Sequence, residues 1–145
     1  MKLRKPLVIV SLALVVALLA ASGVACTPKE QRIQEEGEAV IWQYIEAAFY
    51  QDADSVRDCL HSIALQEFDE NDWTMPLVLE QLYTDIDEIE LEFAPYEERS
   101  FEDIPLITIK CRTPFEGGNL ELEFWLAEEE GELKVLGWQQ AAFPE

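Results

Sequence analysis

Cys26 is the residue of this chain best placed for covalent chemistry. It follows the small-residue run Ala21-Ser22-Gly23-Val24-Ala25, which closes an apolar segment starting at Leu7, with Lys2, Arg4 and Lys5 ahead of it. A basic start, an apolar core and small residues before a scissile bond make a secretory signal. Residues 1–25 therefore read as a removable leader, and Cys26 as the thiol its removal brings to the front. Elsewhere the chemistry lies in residue types and not in their spacing. His61 is the single histidine and stands beside Ser62. A lone histidine there is more often a polar helix-end residue than a base. Asp54, Asp58 and Asp85 carry no catalytic spacing, while Tyr44 and Tyr83 fall on apolar helix stripes and read as core lining. Without a His–Asp pair or an activated nucleophile, no catalytic residue is assigned and no cofactor is implied.

Metal chemistry finds equally little support. Asp69-Glu70-Asn71-Asp72 offers alternating oxygen ligands but lacks the central Gly and terminal Glu of a calcium loop. Glu128-Glu129-Glu130 is a charge run expected on a solvated hairpin. Cys59, Cys111 and His61 are too few for a structural zinc site without carboxylate help. Cys59 and Cys111 are candidates for one disulfide in an oxidising compartment. They read equally as buried free thiols, because cysteine packs as a small hydrophobe.

The segment before Cys26 resembles the lipobox of bacterial lipoproteins, with Val24 and Ala25 in place and Gly23 where that family prefers Leu, Val or Ile. The resemblance implies a cut before Cys26 and a diacylated thiol, hence an extracytoplasmic domain tethered to the cell membrane by lipid. Two other readings stand beside it. Signal peptidase can accept Gly23-Val24-Ala25 and release a secreted chain, or the span Leu7–Ala25 can remain as an anchor near the lower length limit. The chain from Cys26 to Glu145 has the size of one small domain and a net charge of about −23, against −20 for the whole sequence. Such acidity excludes nucleic acid as a partner and disfavours anionic headgroups, so membrane attachment falls to the lipid on Cys26.

The elements behind these residues are legible from hydrophobic period. After a charged spacer, residues 26–35, the residues Gly37, Val40, Ile41, Tyr44, Ile45, Ala48 and Phe49 form one helical stripe. Asp52-Ala53-Asp54-Ser55 breaks it and offers Asp54 or Ser55 as the cap of a second helix, Val56–Ile63, with Val56, Leu60 and Ile63 inward. A third helix is expected over Met75–Thr84, with Pro76 in its first turn and Leu79, Leu82 and Tyr83 buried. The period then becomes two. Strands are expected at Ile89–Phe93, Leu106–Arg112, Leu120–Leu126 and Leu133–Gln139, the last two joined by a Glu130-Gly131 turn.

Helices followed by antiparallel strands predict an α+β fold, with three helices on one face of a curved sheet of about four strands. The opening helix with its acidic break, Ala39–Val56, and the closing strand Leu133–Trp138 resemble the NTF2-like, cone-shaped superfamily over about Glu36–Phe143. The resemblance implies one NTF2-like domain over residues 36–145.

A regular ladder from the Glu130-Gly131 turn sets Trp125 opposite Leu136. Leu122, Phe124, Leu126, Leu133, Val135 and Gly137 then share the core face, while Trp125, Leu136, Trp138 and Lys134 share the outer one. That apolar patch is a candidate docking site for a protein partner or a second copy, or a seat for the tail Ala141–Glu145. The expected function is a lipid-anchored extracytoplasmic binding or protein-interaction module without catalysis. The alternative is a small NTF2-like hydrolase or isomerase, using the cone cavity and a carboxylate near His61 or Tyr44.

Overall fold

The computed structural model describes residues 27–69 and 82–144. Cys26, Glu70-Asn71-Asp72 and the expected third helix up to Gln81 lie outside the described residues. The fold occupies the unit Arg32–Glu145, while Thr27–Gln31 belongs to a separate N-terminal unit.

Helix α1, Pro28–Phe49, begins seven residues before the end of the expected spacer. Its start is a capping box. Thr27 Oγ1 accepts from Glu30 N at 3.3 Å and Glu30 Oε2 accepts from Thr27 N at 3.0 Å, with Pro28 where its missing N–H costs nothing. Gly37, Val40, Ile41, Tyr44, Ile45, Ala47 and Ala48 form its buried face. The helix closes at Gln51, which adopts φ +54° so that the N–H groups of Gln51 and Asp52 reach Ala48 and Ala47 carbonyls.

The second helix differs from expectation at both ends. Helix α2 is Ala53–Cys59, and its cap is Asp52, whose Oδ1 accepts from Ser55 N at 3.2 Å. Leu60 leaves the helix in an extended conformation and forms a parallel bridge with Val135. A new short helix, α3, then spans Ser62–Leu65, so Ile63 ends up 43% exposed and not inward. Helix continuation lost to strand pairing because the Val135 carbonyl is within reach of His61 N, at 2.9 Å. After the undescribed stretch, a 3₁₀ turn at Ile86–Glu88 precedes the first expected strand, of which only Glu92–Phe93 pairs as a strand.

Among the described residues the sheet has five strands, all antiparallel: β1 Glu92–Phe93, β2 Glu97–Phe101, β3 Ile104–Phe115, β4 Gly118–Glu129 and β5 Glu132–Pro144. The order is β1-β3-β4-β5, with β2 beside the first half of β3. Strand β2 was not expected, because all five of its residues are exposed and give no alternating apolar signal. The turn at Glu130-Gly131 is as expected. Both residues have positive φ, and Glu129 faces Glu132.

One face of the sheet is the core. Ile109, Cys111 and Thr113 of β3 and Leu120, Leu122, Phe124 and Leu126 of β4 are all at most 2% exposed, and Ile109, Leu126 and Phe124 lie against α1. Gly37 lies so close to β3 that a Cβ there would sit 2.4 Å from Ile109 Cδ1. Tyr44 meets Phe124 edge-on, ring centroids 5.8 Å apart.

The ladder between β4 and β5 is interrupted by a bulge. Leu126 pairs with Val135, but Trp125 pairs with Gly137, which leaves Leu136 as an extra residue. Every residue beyond it changes face. Trp138 faces the core beside Phe124, and Gly137 turns outward under the Trp125 ring, where a Cβ would meet Cε3 at 2.7 Å. The expected outer patch of Trp125, Leu136, Trp138 and Lys134 is therefore corrected: the two tryptophans lie on opposite faces. The tail from Ala141 does not cover a patch but continues β5.

Candidate functional site

The space between α1 and the sheet is where a fold of this kind would place chemistry. Its polar groups come from side chains facing inward, and each has a partner. Trp138 Nε1 donates to Tyr44 Oη at 3.1 Å, and burial pushes the Tyr44 hydroxyl above its ordinary range against the lowering effect of that bond. Tyr83 Oη lies 2.7 Å from Thr113 Oγ1 and donates to the Pro114 carbonyl at 2.6 Å, with burial again raising its pKa. Among the described residues, no buried side-chain nitrogen or oxygen lacks a hydrogen-bond partner. These bonds tie α1 to β5 and the Tyr83 segment to β3.

The second polar cluster joins the α2–α3 corner to the β4–β5 hairpin. The carboxylate of Glu129 accepts from Ser62 N at 3.2 Å and takes the Ser62 hydroxyl in a short hydrogen bond. The Ser62 hydroxyl is the first cause holding the Glu129 carboxyl below the usual range. His61 is buried at 8% exposure, with Nε2 3.5 Å from Glu129 Oε2. Its Nδ1 accepts from Ile63 N at 3.2 Å as the cap of α3, which in the neutral ring leaves the proton on Nε2. Lys134 Nζ donates to the Asp58 carbonyl at 2.7 Å.

Ser, His and Glu are thus adjacent, but not in catalytic order. A nucleophilic serine must give its proton to the imidazole. Here the hydroxyl is bound to the carboxylate, and the imidazole nitrogen that could accept is occupied by backbone. The cluster works as a clamp between two chain segments distant in sequence. Glu129 is accordingly not a free turn residue, as the acidic run suggested.

The thiols expected as bridge candidates are not joined. Cys59 and Cys111 are both free and buried. Burial pushes the Cys59 pKa up, and that of Cys111 up to about 12, which disfavours the reactive thiolate at both. The bridge is replaced by packing in the apolar core. Among the described residues, no group of three or more His, Cys, Asp or Glu could hold a metal ion. The described surface also carries two grooves. One, of about 370 Å³, lies between α1 and α2 and is lined by Glu46, Tyr50, Asp52 and Asp58. The other, of about 250 Å³, lies beside β1 and is lined by Phe93, Lys110, Arg112 and Glu121. Its two cations are paired, Lys110 with Glu123 at 3.6 Å and Arg112 with Glu121 at 3.4 Å.

Several working residues escaped the sequence. Gln34, assigned to the spacer, accepts from Tyr96 N at 2.8 Å and donates to the Ala94 carbonyl at 3.1 Å, tying α1 to the loop between β1 and β2. Thr113 could have been found, since it shares the inward parity of Ile109 and Cys111 and an inward hydroxyl needs a partner.

No family model and no curated protein matches this sequence. Among solved structures, the chain is similar to an NTF2-like protein of unknown function from Shewanella baltica. Identity is 17% and the TM-score 0.52, over 82% of this chain and 99% of that one. A function-unknown protein from Mycobacterium tuberculosis aligns with 11% identity and a TM-score of 0.46, over 82% of this chain and 78% of that one. The first likeness supports an NTF2-like α+β fold, the one the element order suggested.

Proposed function

We propose that this protein is a lipid-anchored extracytoplasmic interaction module, built on an NTF2-like domain that performs no catalysis. One observation carries the reading. The inward polar groups of the cone, Tyr44, Tyr83, Trp138 and Thr113, are hydrogen-bonded to each other and to backbone, which supports a structural role for them. The His61–Ser62–Glu129 cluster is likewise bonded as a clamp. The anchor rests on Cys26 and the leader before it. Among the described residues, no helix is long and apolar enough to cross a membrane.

The test has two arms. Cys26→Ala should abolish labelling by a fatty-acid probe and leave the chain unprocessed or released; equal labelling of both forms would discard the anchor. Photocrosslinking of the intact protein in its own membrane should give discrete protein adducts that survive Tyr44→Phe. A hydrolase or isomerase activity that disappears in Tyr44→Phe or His61→Gln, with the fold retained, would overturn the non-catalytic reading.

A further inference from the structure

We propose that the outer edge of β5, open from Trp138 onward among the described residues, pairs with β5 of a second copy of this chain, antiparallel, about a two-fold axis at Gln140. Strand β5 ends the sheet, and its outer edge is bonded near the start only, where His61 N reaches the Val135 carbonyl among the described residues. That bond also reveals which residues point outward. Val135 sits opposite Leu126, and in an antiparallel ladder alternate residues bond to opposite neighbours. Strand β4 runs without an inserted residue, so the partners of Phe124, Leu122 and Leu120 belong to the same set. Those are Trp138, Gln140 and Ala142, whose N–H and C=O groups face away from β4.

The strip is open and uncharged. Gln139, Gln140, Ala141, Ala142 and Phe143 are exposed in succession, Phe143 to 50%. From Leu136 to Pro144 no side chain carries charge, in a chain of net charge −20. Edges are ordinarily defended by charge, as β2 is by Glu97, Glu98 and Arg99. Two strongly negative copies repel over most of their surfaces, and the uncharged strip removes that repulsion where the strands would meet.

Side-chain size selects the register. Outward residues must meet outward residues, and centring on Gln140 sets Trp138 against the second copy's Ala142 and Gln140 against its own equivalent. The positions between then match Gly137 with the second copy's Phe143, and Gln139 with Ala141. Large faces small at the aromatic positions. Gly137 is bare except for the Trp125 ring lying over it, so the incoming Phe143 gains an aromatic neighbour across the glycine. The pairing deepens the interaction reading and rests on it, by naming the partner as a second copy.

The axis gives a sharp test. Residue 140 of each copy lies opposite itself, so Gln140→Glu and Gln140→Lys should each weaken self-association about fivefold or more through directly opposed like charges. An equimolar mixture of the two variants should restore it, since Glu then faces Lys. Sedimentation of the full-length chain in detergent reads the association, and circular dichroism of each variant reads the fold. A wild-type chain that stays monomeric, or a mixture no stronger than its components, overturns the pairing. Neither result touches the membrane crosslinking arm above, so failure of the pairing and failure of the interaction reading are told apart.

Discussion

The bulge at Leu136 can be tested through the one hydrogen bond it creates. If Trp138 faces the core, its indole N–H and the Tyr44 hydroxyl are energetically coupled, and a double-mutant cycle of Tyr44→Phe and Trp138→Phe will show it. Tyr44→Phe keeps the ring edge against Phe124 and removes the hydroxyl alone. The indole N–H left behind belongs to a half-buried residue that water can reach, so the cost should be about 1 kcal/mol. Trp138→Phe removes the donor and part of the bicyclic ring, and strands the oxygen of a residue only 8% exposed. Lost area and an unpaired acceptor together give roughly 1–3 kcal/mol. The double variant should be less destabilised than the sum by roughly 0.5–1.5 kcal/mol, the net worth of one neutral hydrogen bond. Urea unfolding of the four proteins measures it. Strict additivity, within about 0.3 kcal/mol, would refute the bulged register and return Trp138 to the outer face beside Trp125.

Gly37→Ala gains about 1 kcal/mol of helix propensity, but its methyl would sit 2.4 Å from the fully buried Ile109. Overpacking of roughly 1–3 kcal/mol should prevail, lowering the thermal midpoint. Glu129 has a depressed pKa in the folded state, so its contribution is present above the ordinary glutamate range and lost as pH falls through the folded value. Wild type and Glu129→Gln should therefore differ in urea midpoint at neutral pH and converge in acid; a gap that persists in strong acid would contradict the clamp. Cys59 and Cys111 should resist iodoacetamide in the native protein and react promptly in denaturant, read by mass spectrometry. Rapid native labelling would show that the thiols are not core.

How much of this was legible beforehand depends on the range of the interaction. The stripe from Gly37 to Phe49, the inward set of β4 and the Glu130-Gly131 turn follow from period and turn chemistry, both of which act within a few residues. The element order sufficed for an α+β fold. Leu60 and Ile63 were misread because an apolar residue in a helical period is also a good strand residue, and the Val135 backbone decided between them. Strand β2 left no mark, since a wholly exposed edge strand buries nothing and needs no apolar alternation. Glu129 and Ser62 are 67 residues apart, and no local pattern announces a bond across that distance. The bulge is the most consequential of these. One extra residue, Leu136, moves every later side chain of β5 to the other face. A sequence specifies which residues alternate; only the packed sheet determines where the alternation slips, because a bulge is chosen by the fit of Trp125 over Gly137 and of Trp138 against Tyr44.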